Sequence, residues 1–268
     1  MFSFFSPQAL YFGRGQAAQA ATLAAGFGRR VLIVHGSNLA RAAWLAESCI
    51  GAGLDVQTQC CAEEPSLPAI ESALASLKGQ SFDVVIALGG GSVIDFAKAL
   101  AALIPCDGNP LDYLEGVGVG RMLEQSPVPM IALPTTAGTG AEVTKNAVIA
   151  VPQHNVKVSL RDPRMIPNVA IVDAALMEGA PRRISLAAAL DAVTQVIEPF
   201  VSVKSNPMTD ALCRATIPVG ASALRELVEN GTPQAWDSMA WVSTCGGLAL
   251  ANAGLGAVHG FAGVIGGL

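Results

Sequence analysis

Residues Asp83–Lys98 read DVVIALGGGSVIDFAK. The apolar run Val84–Leu88 does not alternate, which marks a strand buried on both faces, as in a parallel sheet. It ends in Gly89–Gly90–Gly91, and Ser92 is placed to cap a helix running to about Ile104. A strand therefore delivers three residues without side chains to a helix N-terminus. Backbone N–H groups there can approach phosphate oxygens, and the helix dipole favours the anion. The spacing is neither GxGxxG nor GxxxxGK[ST]. The triplet alone fits a tight strand-to-helix turn equally well.

Outward from this stretch the pattern repeats. Val31–His35 predicts a buried strand, Asn38–Ala52 a helix closed by Gly53, Leu54–Gln57 a second strand and Pro68–Leu77 a helix. Pro129–Leu133 predicts another buried strand. This alternation implies a parallel sheet covered by helices, with ligands at the C-terminal edge of its strands. Leu133–Thr144, LPTTAGTGAEVT, follows that strand and sets Thr135, Thr136 and Thr139 among small residues. Their hydroxyls could reach a phosphate, a ribose or a base. An ordinary turn with local side-chain bonds explains them too.

Beyond Pro181 the pattern is helical. Ile184–Val201, Pro207–Asn230 and Pro233–Ala251 read as helices, with Asn206 as N-cap and Pro207 at the first helical position. The boundary is placed at 1–179 for a dinucleotide-binding domain and 180–268 for a helical domain. The closing Gly266–Gly267–Leu268 reads as a turn leading onward, so the helical domain is expected to be incomplete.

Composition narrows the class. With 51% hydrophobic and 14% charged residues, the 268-residue chain is expected to bury a sizeable core rather than be disordered. A net charge of −5 argues against a nucleic-acid-binding face. The apolar runs are too short for a membrane span, and Met1–Pro7 lacks the basic region of a secretory signal. Six cysteines without a CxxC pair fit free thiols in a reducing cytoplasm.

GGGSVIDFAK and LPTTAGTGAEVT together resemble the two cofactor loops of the iron-containing alcohol dehydrogenases. Further matches follow in family order: KVSLRDPRMIPNVAIVD with Lys157, the segment Asp191–Asp210, and NAGLGAVHGFAGVIGG over 252–267. The resemblance implies a dehydroquinate synthase-like architecture, an α/β dinucleotide-binding domain followed by an all-helical domain. It also implies an NAD(P)-dependent alcohol dehydrogenase, acting on a small alcohol or carbonyl substrate, and a homodimer.

Under the resemblance Gly89, Gly90, Gly91 and Ser92 hold the pyrophosphate and Asp95 lies near the nicotinamide. Thr135, Thr136 and Thr139 surround the adenosine and phosphates, and Lys157 contacts ribose. Read without it, Lys157 is a solvated charge in a β-hairpin. Many NAD-preferring relatives carry Asp after the first strand, where this chain has Gly36 and Ser37. The missing carboxylate removes repulsion against a 2′-phosphate, so NADP is expected to be accepted beside NAD.

The family usually holds a divalent metal, Fe or Zn, by one carboxylate and three imidazoles. Asp191 matches the carboxylate and His259 one imidazole. Gln195 stands where the family has His, one turn after Asp191 on the same face. It offers only a neutral, weaker carbonyl oxygen. Gly263 replaces a further active-site His, and the last ligand of the family lies past Leu268. His35 and His154 match no ligand, and Glu198 reads as structural. Two other functions stay open: a maleylacetate-reductase-like enzyme, and a non-catalytic dinucleotide-binding protein with a decayed metal site.

Overall fold

The computed structural model describes residues 1–266. In chain order the elements are β1 (Ala9–Phe12), α1 (Ala20–Ala25), β2 (Arg30–His35), α2 (Ala43–Gly51), β3 (Asp55–Cys60), α3 (Leu67–Ser76), β4 (Val84–Gly89) and α4 (Gly91–Leu103). Then come β5 (Met130–Pro134), β6 (Asn146–Val151), β7 (Val156–Arg161), β8 (Val169–Val172), α5 (Arg182–Ile197), α6 (Pro207–Glu229), α7 (Pro233–Ala253) and α8 (Ala257–Ile265).

Six strands form one sheet in the order β1-β8-β5-β4-β2-β3, and every neighbouring pair is parallel. β4 is central and fully buried, as its unalternating sequence requires. Side chains on one face (Leu32, Val34, Val85, Ala87, Ala132) pack against α3 and α4. Those on the other face (Val31, Ile33, Val84, Ile86, Ile131) pack under α1 and α2. β6 and β7 form a separate antiparallel hairpin.

Several sequence expectations shift in detail. The second strand lies at Asp55–Cys60, later than expected, because register against β2 pairs Arg30 with Asp55 through His35 with Cys60. Ser66 caps α3 by accepting from Ala69 N. Ser92 does not cap α4: Gly90 is the N-cap, and no side chain caps that turn. Asn206 caps α6 as expected, in a reciprocal capping box with Thr209. β1 and β8 are too short to announce themselves in the sequence; pairing with each other and with β5 stabilises them.

The last strand of the sheet ends at Val172, and the bundle α5–α6–α7 starts at Arg182. Its core joins Val196, Ala223 and Met239 to Ala137 and Val172 of the sheet side. Contact is closest at Gly140, whose φ of +59° disfavours other residues. A Cβ there would lie 2.6 Å from Gly247 Cα on α7. Beside it, buried Glu142 accepts from Thr244 Oγ1 of α7 at 3.1 Å. Among the described residues no single helix is long and apolar enough to cross a membrane. α7 and α8 together meet the length and composition needed, but they are bent by 96°, and most of the side chains of α7 are buried in the core.

Gly247→Ala would push a methyl group into the backbone of Gly140. It is expected to lower unfolding stability by about 1–3 kcal/mol, read from thermal or urea unfolding. Wild-type stability would show that the loop and α7 separate without cost.

Candidate active site

The two glycine- and threonine-bearing loops leave adjacent strands. Gly89 pairs with Pro134 in the sheet, and Thr135 N donates to Gly89 O at 2.9 Å. The loops then close on each other. A Cβ on Gly90 would lie 3.2 Å from Thr136 Oγ1, and one on Gly91 2.7 Å from Thr139 Oγ1. The glycines are therefore needed for this approach. The uncapped N–H groups of the first turn of α4 remain available to an anion.

Two hollows meet at Gly90. One, of ≈ 340 Å³, is lined by Gly36, Ser37, Arg41, Trp44, Gly89 and Thr135, among others. The other, of ≈ 610 Å³, is lined by Gly91, Ser92, Thr136, Thr139, Arg183 and Asp191, among others. Together they form an elongated groove across the C-terminal edge of the sheet, where such folds bind ligands.

Two other expected cofactor residues have protein partners of their own. Asp95 is not part of the groove lining; its Oδ2 accepts from Val148 N of β6 at 3.0 Å. Burial raises its carboxyl to about 6 despite the attraction of Lys98. Burial also lowers Lys98 to about 8, and its ammonium donates to Thr144 Oγ1 at 2.8 Å and Asn146 O at 3.1 Å. Asp95 and Lys98 thus tie α4 to the hairpin. Lys157, on β7, pairs with Glu64, and Glu64 is the member of that pair lining the groove.

At the far end of the groove α5 presents Asp191 and, one turn later, buried Gln195. Gln195 Nε2 donates to Asp191 Oδ2 at 2.9 Å and to Gly138 O at 3.3 Å. This fixes the amide orientation, since a reversed amide would face carboxylate with carbonyl. Gln195 Oε1 is left buried without a partner. His259 of α8 completes the cluster: Nε2 lies 3.0 Å from Asp191 Oδ1, and Nδ1 lies 2.5 Å from Glu198 Oε2. The Glu198 side chain is only 8% exposed. Sequence reasoning set Glu198 aside. Its spacing three and seven residues from Gln195 and Asp191 would have placed all three on one helix face.

Among the described residues no three His, Cys, Asp or Glu side chains converge on one point. Asp191 and His259 nevertheless fit part of a divalent metal site, whereas Gln195 turns its amide nitrogen, not its oxygen, toward Asp191. Ligands about 2.1 Å from a metal sit about 3.0–3.4 Å from each other, which brackets the Asp191–His259 distance.

Family models match this geometry from both sides. The model for iron-containing alcohol dehydrogenase covers residues 7–174, and that for the C-terminal part of the same family covers 185–268. The chain belongs to the iron-containing alcohol dehydrogenase family. Long-chain-alcohol dehydrogenase 1 of Geobacillus thermodenitrificans is 40% identical over 205 residues, covering 76% of the chain and 51% of that relative. NAD-dependent methanol dehydrogenase of Bacillus methanolicus is 33% identical, covering 100% of the chain and 71% of the relative. The crystal structure of 1,3-propanediol oxidoreductase superposes with a TM-score of 0.92 at 29% identity, over 100% of the chain and 71% of that structure. The chain thus spans about half the length of several curated members of the iron-containing alcohol dehydrogenase family that it matches.

The site has a pH signature. Hydrogen bonds to Asp191 and then to Glu198 raise His259 above its ordinary 6.5, against burial. In the metal-free chain this stabilises the fold fully below that ordinary value and is lost as pH rises through the raised one. A metal must displace that proton. Zn(II) affinity is therefore expected to fall by up to about tenfold per unit as pH drops below the His259 value, measured by chelator competition. An affinity flat from about pH 8 to about pH 6 would exclude His259 as a ligand.

Proposed function

We propose that this protein interconverts an alcohol and an aldehyde or ketone with a nicotinamide dinucleotide. The observation behind this reading is the single groove that joins the α4 N-terminus and threonine loop to Asp191. The pyrophosphate would bind the first turn of α4, with the Thr136 and Thr139 hydroxyls beside it. The adenosine would lie toward Gly36 and Thr135, and the nicotinamide toward Asp191.

In the oxidative direction the alcohol carbon gives a hydride to the nicotinamide and the hydroxyl proton leaves to water. Asp191 and His259 Nε2 would hold a divalent metal, with the Gln195 amide nitrogen holding Asp191 in place. Such a metal, when bound, supplies Lewis-acid polarisation of the substrate oxygen. The loops and α5 would set substrate and nicotinamide side by side, which would supply the orientation part of catalysis. NAD use is supported by the NAD-dependent methanol dehydrogenase among the relatives. It is also supported by a similar structure, sulfoacetaldehyde reductase from Bifidobacterium kashiwanohense in complex with NAD+.

NADP is proposed as an acceptable cofactor too. Gly36 brings no carboxylate to the first hollow, and Ser37 and Arg41 both line it. Gly36→Asp is expected to shift the NADP-to-NAD ratio of kcat/KM at least about tenfold toward NAD, because it sets a like charge against the 2′-phosphate. An unchanged ratio would place the 2′-phosphate elsewhere.

The decisive experiment is a substrate screen over alcohols, aldehydes and maleylacetate, with NAD and NADP and added Fe(II) or Zn(II). Asp191→Ala should reduce turnover at least about a hundredfold while leaving the dinucleotide Kd within about twofold. Gln195 in an imidazole position favours one rival reading, dinucleotide binding without catalysis. Dinucleotide binding with no turnover under any metal would establish that rival.

A further inference from the structure

α8 carries His259, yet none of its residues is buried. Packing alone therefore does not fix where the imidazole sits. The strongest tie is one carboxylate, that of Glu198 at the C-cap of α5. Its Oε1 accepts from Val258 N at 2.7 Å, in the first turn of α8. Its Oε2 meets His259 Nδ1. The fit is close: a Cβ on Gly256 would stand 2.9 Å from Glu198 Oε1.

We infer that Glu198 is the positioning residue of the metal site, fixing both the place of α8 and the tautomer of His259. A carboxylate on Nδ1 keeps a proton there, so the Nε2 that meets Asp191 is the nitrogen that can give up its proton to a metal. The other oxygen of the same group anchors the backbone that bears the ring. One buried anion thus sets ring position, ring rotation and donor atom together. Asp191, Gln195 and Glu198 all come from α5, so a single helix presents the carboxylate, the amide and the support for the imidazole. The inference rests on the proposed reading that Asp191 and His259 hold the metal.

The test uses the whole chain and reads metal binding rather than turnover. Co(II) and Zn(II) affinities are measured by chelator competition, with the Co(II) visible spectrum, for wild type, Glu198→Ala, Glu198→Gln and Asp191→Ala. NADH binding is followed in parallel by fluorescence. Glu198→Ala is expected to weaken metal about 10–100-fold and alter the Co(II) spectrum, with the NADH Kd within about twofold. Glu198→Gln keeps an oxygen for the Nδ1 proton and is expected to recover most of the affinity. Should Glu198→Ala fail to fold, Gly256→Ala, which presses on the same carboxylate, is expected to weaken metal in its place. Wild-type metal affinity in Glu198→Ala, or in Gly256→Ala where that stands in, overturns the inference. So does a loss matched by an equal loss of NADH binding. If Asp191→Ala abolishes metal binding while Glu198→Ala leaves it intact, only this inference fails. If wild type binds no metal, or Asp191→Ala binds it normally, the metal-site reading fails first.

Discussion

The threonine loop can reach α7 only because Gly140 and Gly247 meet backbone to backbone. That contact sets the distance between the sheet and the bundle. The same loop faces Gly90 and Gly91 through Thr136 and Thr139, and offers the Gly138 carbonyl to Gln195. A Cβ on Gly138 would also stand 2.9 Å from Ala188 Cβ on α5. One short segment therefore touches the anion-binding turn, the acidic helix and the bundle. The groove has the width it has because five glycines leave no side chain between these parts.

Lys98 and Glu142 are buried, and Asp95 half-buried, where elements must be held. Lys98, Asp95 and Glu142 sit behind the groove and join α4, the hairpin and α7 through Thr144, Asn146, Val148 and Thr244. Desolvation opposes charge on each of the three, and the attraction of Lys98 for both acids offsets part of that cost. At the groove itself the charges are partly open: Asp191 is 31% exposed and His259 23%. The first set maintains shape, and the second remains accessible to a ligand.

Much of this was legible in the sequence. The unalternating runs at Val31–His35, Val84–Leu88 and Met130–Leu133 mark strands buried on both faces, and the loops after them mark the ligand edge. What the sequence could not supply was which way a polar side chain turns. Asp95 lies on the right helix but spends its carboxylate on Val148 N, and Lys157 is engaged by Glu64. Glu198 shows the reverse. Before the fold is known, an acid preceding Pro199 has no partner in view. Its partners, Val258 and His259, lie on a helix some sixty residues onward in the chain. Short β1 and β8 were likewise invisible, since long-range pairing and not local propensity makes them strands.

Strand order also governs how this molecule comes to exist. β8, the last strand of the sheet in sequence, lies between β1 and β5, and Ala9 pairs with Val169. Until β8 emerges during synthesis, β1 has no partner and β5 presents an open edge. The sheet is thus assembled by insertion and not by extension. Such non-local parallel pairing is slow, and an unpaired hydrophobic edge is prone to association meanwhile. The step most exposed to misfolding is the arrival of Val169–Val172, well away from the groove where the chemistry is proposed.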